Sequence, residues 1–285
     1  MYQVVFYGLM ASPPTKAHQL ILKQLQASYP PQQYTIDYAH DVENNKPLCT
    51  VRNDADEIVF SGALESLGIS EPVADVGSRV LERSIKRTLA KRDRIDYIEI
   101  CCVPSADGPP VLGKLPSAQN THRQTMIEMA AAEVDETSII VSDMEIVLSQ
   151  LIGLPSYTAN SLIVLRDGLC GLLSRPENLL TSDEKKQSTA QRKALLNERK
   201  KSISHYLEHP THEWLTPHGL IDEASQVTLV MGSDAFNRLE KWFDASTVVA
   251  YANEIVVIDR EGSKPLADVS NYSSTAFRDQ IAINA

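Results

Sequence analysis

The residues best suited to chemistry lie near the two ends of the chain. "GLMASPPTKAH" spans residues 8 to 18, directly after the apolar pentad "QVVFY", and "SSTAFR" spans residues 273 to 278. In the first segment Gly8 permits a tight turn after a strand. Pro13 and Pro14 remove two backbone donors and fix φ, which suits a chain entering a helix. Thr15 then reads as the N-cap, and His18 falls in the first helical turn. There, open N–H groups and the positive end of the helix dipole favour an anion. A histidine at that point can donate to a bound phosphate or carry positive charge, and it can equally be a packed or surface residue. Taken alone, "SSTAFR" reads as the capped start of a late helix.

Stepping outward, five apolar or β-rich runs read as strands: residues 3–7, 97–103, 137–141, 227–231 and 254–258. Most are apolar nearly throughout, as parallel strands covered on both faces must be. Between them, residues 16–26, 119–133, 158–167 and 234–243 carry the i, i+3, i+4 apolar spacing of helices. Strands alternating with helices predict an α/β fold, a doubly wound parallel sheet with helices on both faces. Ligands in such sheets bind beyond the carboxyl ends of the strands. Two regions break the rhythm, at about 29–95 and 170–224. Both are expected as mainly helical insertions on the outside of one domain spanning residues 1–285. The first contains the helical stretch "SRVLERSIKRTLAKRDR". The second contains a charged helix opened by a capping box from Thr181 to Glu184. Their charge runs are expected to be solvated faces.

Composition narrows the function. Among 285 residues, 27 basic against 37 acidic side chains give a net charge of −10. That argues against a nucleic-acid or membrane-surface binder, which presents a basic field, and leaves room for an anionic small molecule met by a few local cations. Cys49, Cys101, Cys102 and Cys170 show no C-x-x-C spacing and read as buried reduced thiols, suited to a reducing compartment. With no secretory leader pattern and no apolar run near the roughly 18 residues of a membrane span, a soluble cytoplasmic protein is expected. His205, His209, His212 and His218 tempt a metal reading, but Pro210 breaks their helical spacing, and a surface cluster is expected instead. No resident metal is expected.

Several stretches in fixed order resemble a known family. "SPPTKAH" resembles the T/H-x-x-H signature of the nucleotidylyltransferase superfamily, with Thr15 and His18 in its two positions. "SSTAFR" resembles that superfamily's S-S/A-T-x-x-R motif. "CVPSADGPPVLGK" (102–114), "SDMEI" followed by "LPSYTANSL" (154–162), and "VMGSDAFNRLEKWFDASTVVAYANEIVVIDREG" (230–262) resemble segments of bacterial nicotinate (nicotinamide) mononucleotide adenylyltransferases. The resemblance covers residues 1–28, about 97–169 and about 226–278, and leaves both insertions out.

The resemblance implies a Rossmann-like fold and adenylyl transfer from ATP to nicotinate mononucleotide, with nicotinamide mononucleotide as the other acceptor, forming deamido-NAD or NAD and pyrophosphate. ATP and a pyridine mononucleotide are then the partners, Mg²⁺ accompanies the ATP phosphates, and a homo-oligomer is left open. It implies that Thr15, His18 and Arg278 carry catalysis. Gly8, Leu9, His18, Gly232, Asp234, Ser274, Thr275 and Arg278 would bind ATP, with Asp234 accepting from the ribose hydroxyls. Lys114, Tyr157, Thr158 and Trp242 would bind the mononucleotide, with Trp242 stacking on the pyridine ring. Asp234 can also cap a helix, Trp242 can also be a core residue of an amphipathic helix, and Lys114 and Arg123 lie either near phosphates or on the surface. The sequence departs from the family pattern at Leu9 and Ala11, where a glycine and an aromatic are usual. Two other readings stay open: a nucleotide-binding regulatory homologue without catalysis, and an adenylyltransferase acting on another phosphate monoester.

Overall fold

The computed structural model describes residues 1–9, 16–44, 46–69, 78–106, 120–135, 139–155 and 157–258. Five parallel strands form the central sheet: β1 (Tyr2–Leu9), β5 (Tyr97–Pro104), β6 (Ile139–Val141), β7 (Gln226–Gly232) and β8 (Glu254–Ile258). Their order across the sheet is β6-β5-β1-β7-β8, with every neighbouring pair parallel. Chain order runs outward from β1 in one direction and then reverses to the other side, so the switch point lies between β1 and β7. All five strands expected from the apolar runs are present.

Side chains alternate across each strand. Val5, Tyr7 and Leu9 of β1 turn to one face, where helices α1 (Lys16–Ser28) and α3 (Asn120–Asp135) cover them with Leu22, Leu25, Ile127 and Ala131. Tyr2, Val4 and Phe6 turn to the other face and join a larger core. That face is covered by α2 (Ser78–Lys91), α4 (Met144–Ile152), α5 (Thr158–Leu173), α6 (Thr189–Glu208) and α8 (Ala245–Tyr251). The expectation of a doubly wound sheet with helices on both faces is met.

The first insertion is not mainly helical. It forms a second, antiparallel sheet, β2 (Thr35–Asp41), β3 (Lys46–Arg52) and β4 (Ile58–Ala63), in that order, before α2. Only its middle strand buries side chains, Cys49 and Val51, which join the larger core with Leu64 and Leu67. A sheet solvated on most of its surface shows short, weakly alternating runs, and these escape a search for apolar strands.

Arg87 of α2 is buried against Glu99 of β5, its Nε donating to Glu99 Oε2 at 2.9 Å. The hydroxyls of Tyr2 and Tyr97 donate to the same carboxylate at 2.6 and 2.9 Å. Arg83 reaches Glu213 at 2.9 Å, and the Arg87 guanidinium sits 4.9 Å from the Trp214 ring centre. Burial and the neighbouring carboxylate push both tyrosine hydroxyls far above their ordinary range.

The second insertion also turns inward. Thr181 and Glu184 do form a reciprocal box, with the Thr181 N–H donating to Glu184 at 2.8 Å, but it opens only a 3-10 turn, Glu184–Lys186. The long helix α6 starts later, from a second box between Ser188 and Gln191. Arg199 of α6 is buried, donating to the carbonyls of Ile152 and Leu179 at 2.8 and 2.7 Å and to both oxygens of Glu184 at 2.8 Å. At the base of this excursion Gly168 (φ 69) interrupts α5 and Gly219 (φ 75) crosses it. A Cβ on Gly168 would lie 2.2 Å from the Pro217 carbonyl oxygen, and one on Gly219 would lie 2.3 Å from that of Arg166. Among the described residues no helix is long and apolar enough to cross a membrane.

Candidate functional site

Two groups of expected site residues lie among the described residues. The first gathers at the carboxyl ends of β1 and β7, beside the switch point, where doubly wound sheets bind ligands. Gly8 and Leu9 end β1, opposite Val103 and Pro104 of β5, and His18 is the third residue of α1. Gly232 ends β7 and serves as N-cap of the short helix α7 (Ser233–Phe236), with Asp234 in its first turn. Asp234 is therefore not the capping residue of a long helix. Gly8 lies inside the strand rather than in a turn, and among the described residues a Cβ there would meet only Phe6 at an ordinary 3.6 Å. Leu9 turns its side chain into the core with Val5 and Tyr7, so its bulk is spent on packing. Thr15, Lys114, Ser274, Thr275 and Arg278, together with Ala11, lie outside the described residues. Arg123 of α3 is 1% exposed, so it is a core residue and not a surface one.

The second group forms a cleft of about 600 Å³ between the start of α5 and the segment joining β7 to α8. Tyr157 and Trp242, far apart in sequence, both line it, with Phe243 between them in the wall. The Tyr157 and Phe243 rings stack at 4.2 Å with an 18° interplanar angle. Thr158, the first residue of α5, is half-buried beside this wall and does not line the cleft.

Residues 234–243 were expected as one amphipathic helix, and they are not. After α7 the chain makes a 3-10 turn, Leu239–Lys241, and Trp242 adopts an extended backbone. Asp244 takes a left-handed conformation (φ 48) and caps α8 through its side chain, which accepts from the Thr247 N–H. It also accepts from Asn178 Nδ2 at 2.9 Å, and Asn178 in turn bonds Asn160 of α5 at 3.3 Å. Burial pulls the Asp244 carboxyl upward, yet the hydrogen bonds from Asn178, Thr247 and Ser246 outweigh it and hold the group below its ordinary value. This buried set of polar bonds fixes the loop that presents Trp242 and Phe243. The Trp242 Nε1 is buried without a hydrogen-bond partner among the described residues. A buried donor left unpaired in this way costs stability.

Sequence reasoning missed the charged lining. Arg175, Lys185 and Lys241 face the cleft beside Glu177 and Asp244. Arg175 is answered by Asp167, at 2.7 Å, and also bonds the Tyr251 hydroxyl. Neither Lys185 nor Lys241 forms an ion pair among the described residues. The adjacent "KWF" carried a signal for Phe243; nothing in the charged run "TSDEKKQ" marked Lys185 as facing a cleft.

The remaining expectations resolve simply. Of the histidine run, His205, His209 and His218 are exposed, whereas His212 bonds Asp143, Nε2 to Oδ1 at 2.7 Å. Among the described residues no group of three or more His, Cys, Asp or Glu is arranged to hold a metal ion. Cys49, Cys101 and Cys102 are buried free thiols, with burial pushing the Cys102 thiol up to about 12, while Cys170 is exposed.

No family model and no curated protein matches the chain. Solved structures similar to it include a putative nicotinate-nucleotide adenylyltransferase from Vibrio parahaemolyticus, at 10% identity and a TM-score of 0.33, covering 95% of this chain and 80% of that one. Another is Plasmodium falciparum nicotinic acid mononucleotide adenylyltransferase complexed with NaAD, at 11% identity and a TM-score of 0.33, covering 98% of this chain and 83% of that one. At these values the overlap carries no argument about activity, which has to rest on the chain's own residues.

Proposed function

We propose that the chain transfers an adenylyl group from ATP to a pyridine mononucleotide, nicotinate mononucleotide first among the acceptors. An oxygen of the acceptor's 5′-phosphate attacks the α-phosphorus of ATP, the bond to the bridging β-phosphate oxygen breaks, and pyrophosphate leaves. No covalent enzyme intermediate is required. The protein's task is to align two polyanions and to answer charge growing on the α-phosphate oxygens. His18 at the start of α1 donates to the α-phosphate, and Asp234 accepts from the adenosine ribose where Gly232 ends β7. Thr15 and Arg278 keep the catalytic roles, Ser274, Thr275 and Arg278 the ATP-binding roles, and Lys114 the mononucleotide-binding role that the motif resemblance gives them. Mg²⁺ would enter with ATP as part of the substrate, where it would offset phosphate charge.

The observation that carries this reading is the aromatic cleft. Tyr157 and Trp242, chosen from sequence as mononucleotide contacts and 85 residues apart, line one cavity. Stacking of a flat ring on an aromatic side chain contributes about 1–3 kcal/mol. The test is pyrophosphate release by the purified chain with ATP, Mg²⁺ and a panel of acceptors. Turnover is expected with nicotinate mononucleotide. Release with no pyridine mononucleotide overturns the reading, and release with only another phosphate monoester moves the acceptor assignment.

A further inference from the structure

Lys185 belongs to the excursion between α5 and β7, which lies outside every stretch of motif resemblance, yet its side chain lines the aromatic cleft. Its ammonium sits 4.9 Å from the centre of the Phe243 ring, which also stacks on Tyr157. A cation over an aromatic face is attracted by the ring quadrupole but keeps its hydrogen-bond donors free. Neither cleft carboxylate neutralises it: Asp244 is committed to Asn178, Thr247 and Ser246, and Glu177 forms no ion pair with it.

The backbone carrying Lys185 is also held firmly. The preceding residue, Glu184, accepts from the Thr181 N–H and from two nitrogens of the buried Arg199, which is itself bonded to carbonyls of the core. The excursion therefore delivers a positioned positive charge, without an ion pair among the described residues, to the lining of the aromatic cleft. Lys241, the other cation there without an ion pair, has no ring contact to place it.

Resting on the function proposed above, we propose that Lys185 reads the ring carboxylate of the acceptor, so that the cleft takes an aromatic-acid mononucleotide in preference to its amide. A flat ring stacked on Trp242 would carry its carboxylate in the ring plane, within the cavity that Lys185 also lines. The charge-assisted hydrogen bond is available to a carboxylate and is lost on a neutral amide. Lysine suits this as a compact point charge on a flexible stem.

The experiment measures binding of nicotinate mononucleotide and nicotinamide mononucleotide separately, by calorimetry and tryptophan fluorescence, in the unaltered chain, Lys185→Gln and Lys185→Arg. Pyrophosphate release is followed in parallel. The unaltered chain is expected to favour the acid by roughly tenfold, the scale of one charged hydrogen bond. Lys185→Gln brings the two affinities together, and Lys185→Arg restores much of the difference. A preference that persists in Lys185→Gln overturns the role of Lys185 and leaves the enzyme reading standing. Selective binding that needs Lys185 but comes without turnover overturns the enzyme reading and leaves Lys185 standing. Equal affinities in the unaltered chain, or no binding of either nucleotide, overturn the role of Lys185.

Discussion

The two faces of the central sheet are built by different rules. Among the described residues one is covered by α1 and α3, with a largely apolar interface of side chains such as Leu22, Leu25 and Ile127 beside the buried Arg123. The other is covered by α2, α4, α5, α6 and α8 together with parts of both excursions, and it carries buried ions: Glu99 with Arg87, and Arg199 with Glu184. The segments that interrupt the sequence rhythm are therefore not ornaments on a finished fold. They supply the second wall of the sheet, and in Lys185 they supply the edge of the cleft as well.

If the second face depends on matched charges, its largest liability is an orphaned one. Arg87→Ala leaves the Glu99 carboxylate, 1% exposed, without its cation. A loss of about 4 kcal/mol in urea denaturation is expected. On the plain face, Leu25→Ala removes a fully buried side chain from α1. A loss of about 3 kcal/mol is expected, nearly constant between mild acid and neutral pH because no titrating group is touched.

A pH series sharpens the contrast. The hydrogen bonds from Arg199, chief among its influences, hold the Glu184 carboxyl down to about 2, against an ordinary value of 4.5. A carboxylate depressed by folding contributes stability that is complete above its unfolded value and fades as the pH falls from about 4.5 towards 2. Discounted for the solvent screening of a partly exposed group, that contribution at neutral pH is about 2 kcal/mol. Glu184→Gln should therefore lose about that much at pH 7 and flatten the acid limb of the stability profile; an unchanged acid limb would break the distinction between the faces. The smallest effect belongs to the outer sheet. Tyr38→Ser on the exposed strand β2 is expected to shift stability by less than about 0.5 kcal/mol.

What the sequence made legible follows the same division. The parallel strands and helices α1, α3 and α5 announced themselves because burial on both sides, or along one stripe, imposes a strong pattern. The antiparallel strands β2 to β4 did not, since a mostly solvated sheet asks little of its residues. Tyr157 and Trp242 were found through local motifs, but the reason Trp242 leaves a helix lies in Asp244 and Asn178, 66 residues apart. Lys185 was read as part of a solvated charge run because only tertiary contact with Phe243 distinguishes it from its neighbour Lys186, which pairs with Asp183 at 2.9 Å on the surface.

The crossing of Gly168 and Gly219 has one more consequence. Backbone bonds from Leu169 to Thr216 and from Leu220 to Leu165 fasten the two strands of the chain at that neck, without any covalent link. Everything between them is a closed circuit, anchored to the core through Arg199, Ile203 and Trp214 as well as at the neck. Cleavage at the exposed stretch 209–211 would leave both cut ends tethered, and the staple, rather than peptide continuity, would keep the wall in place.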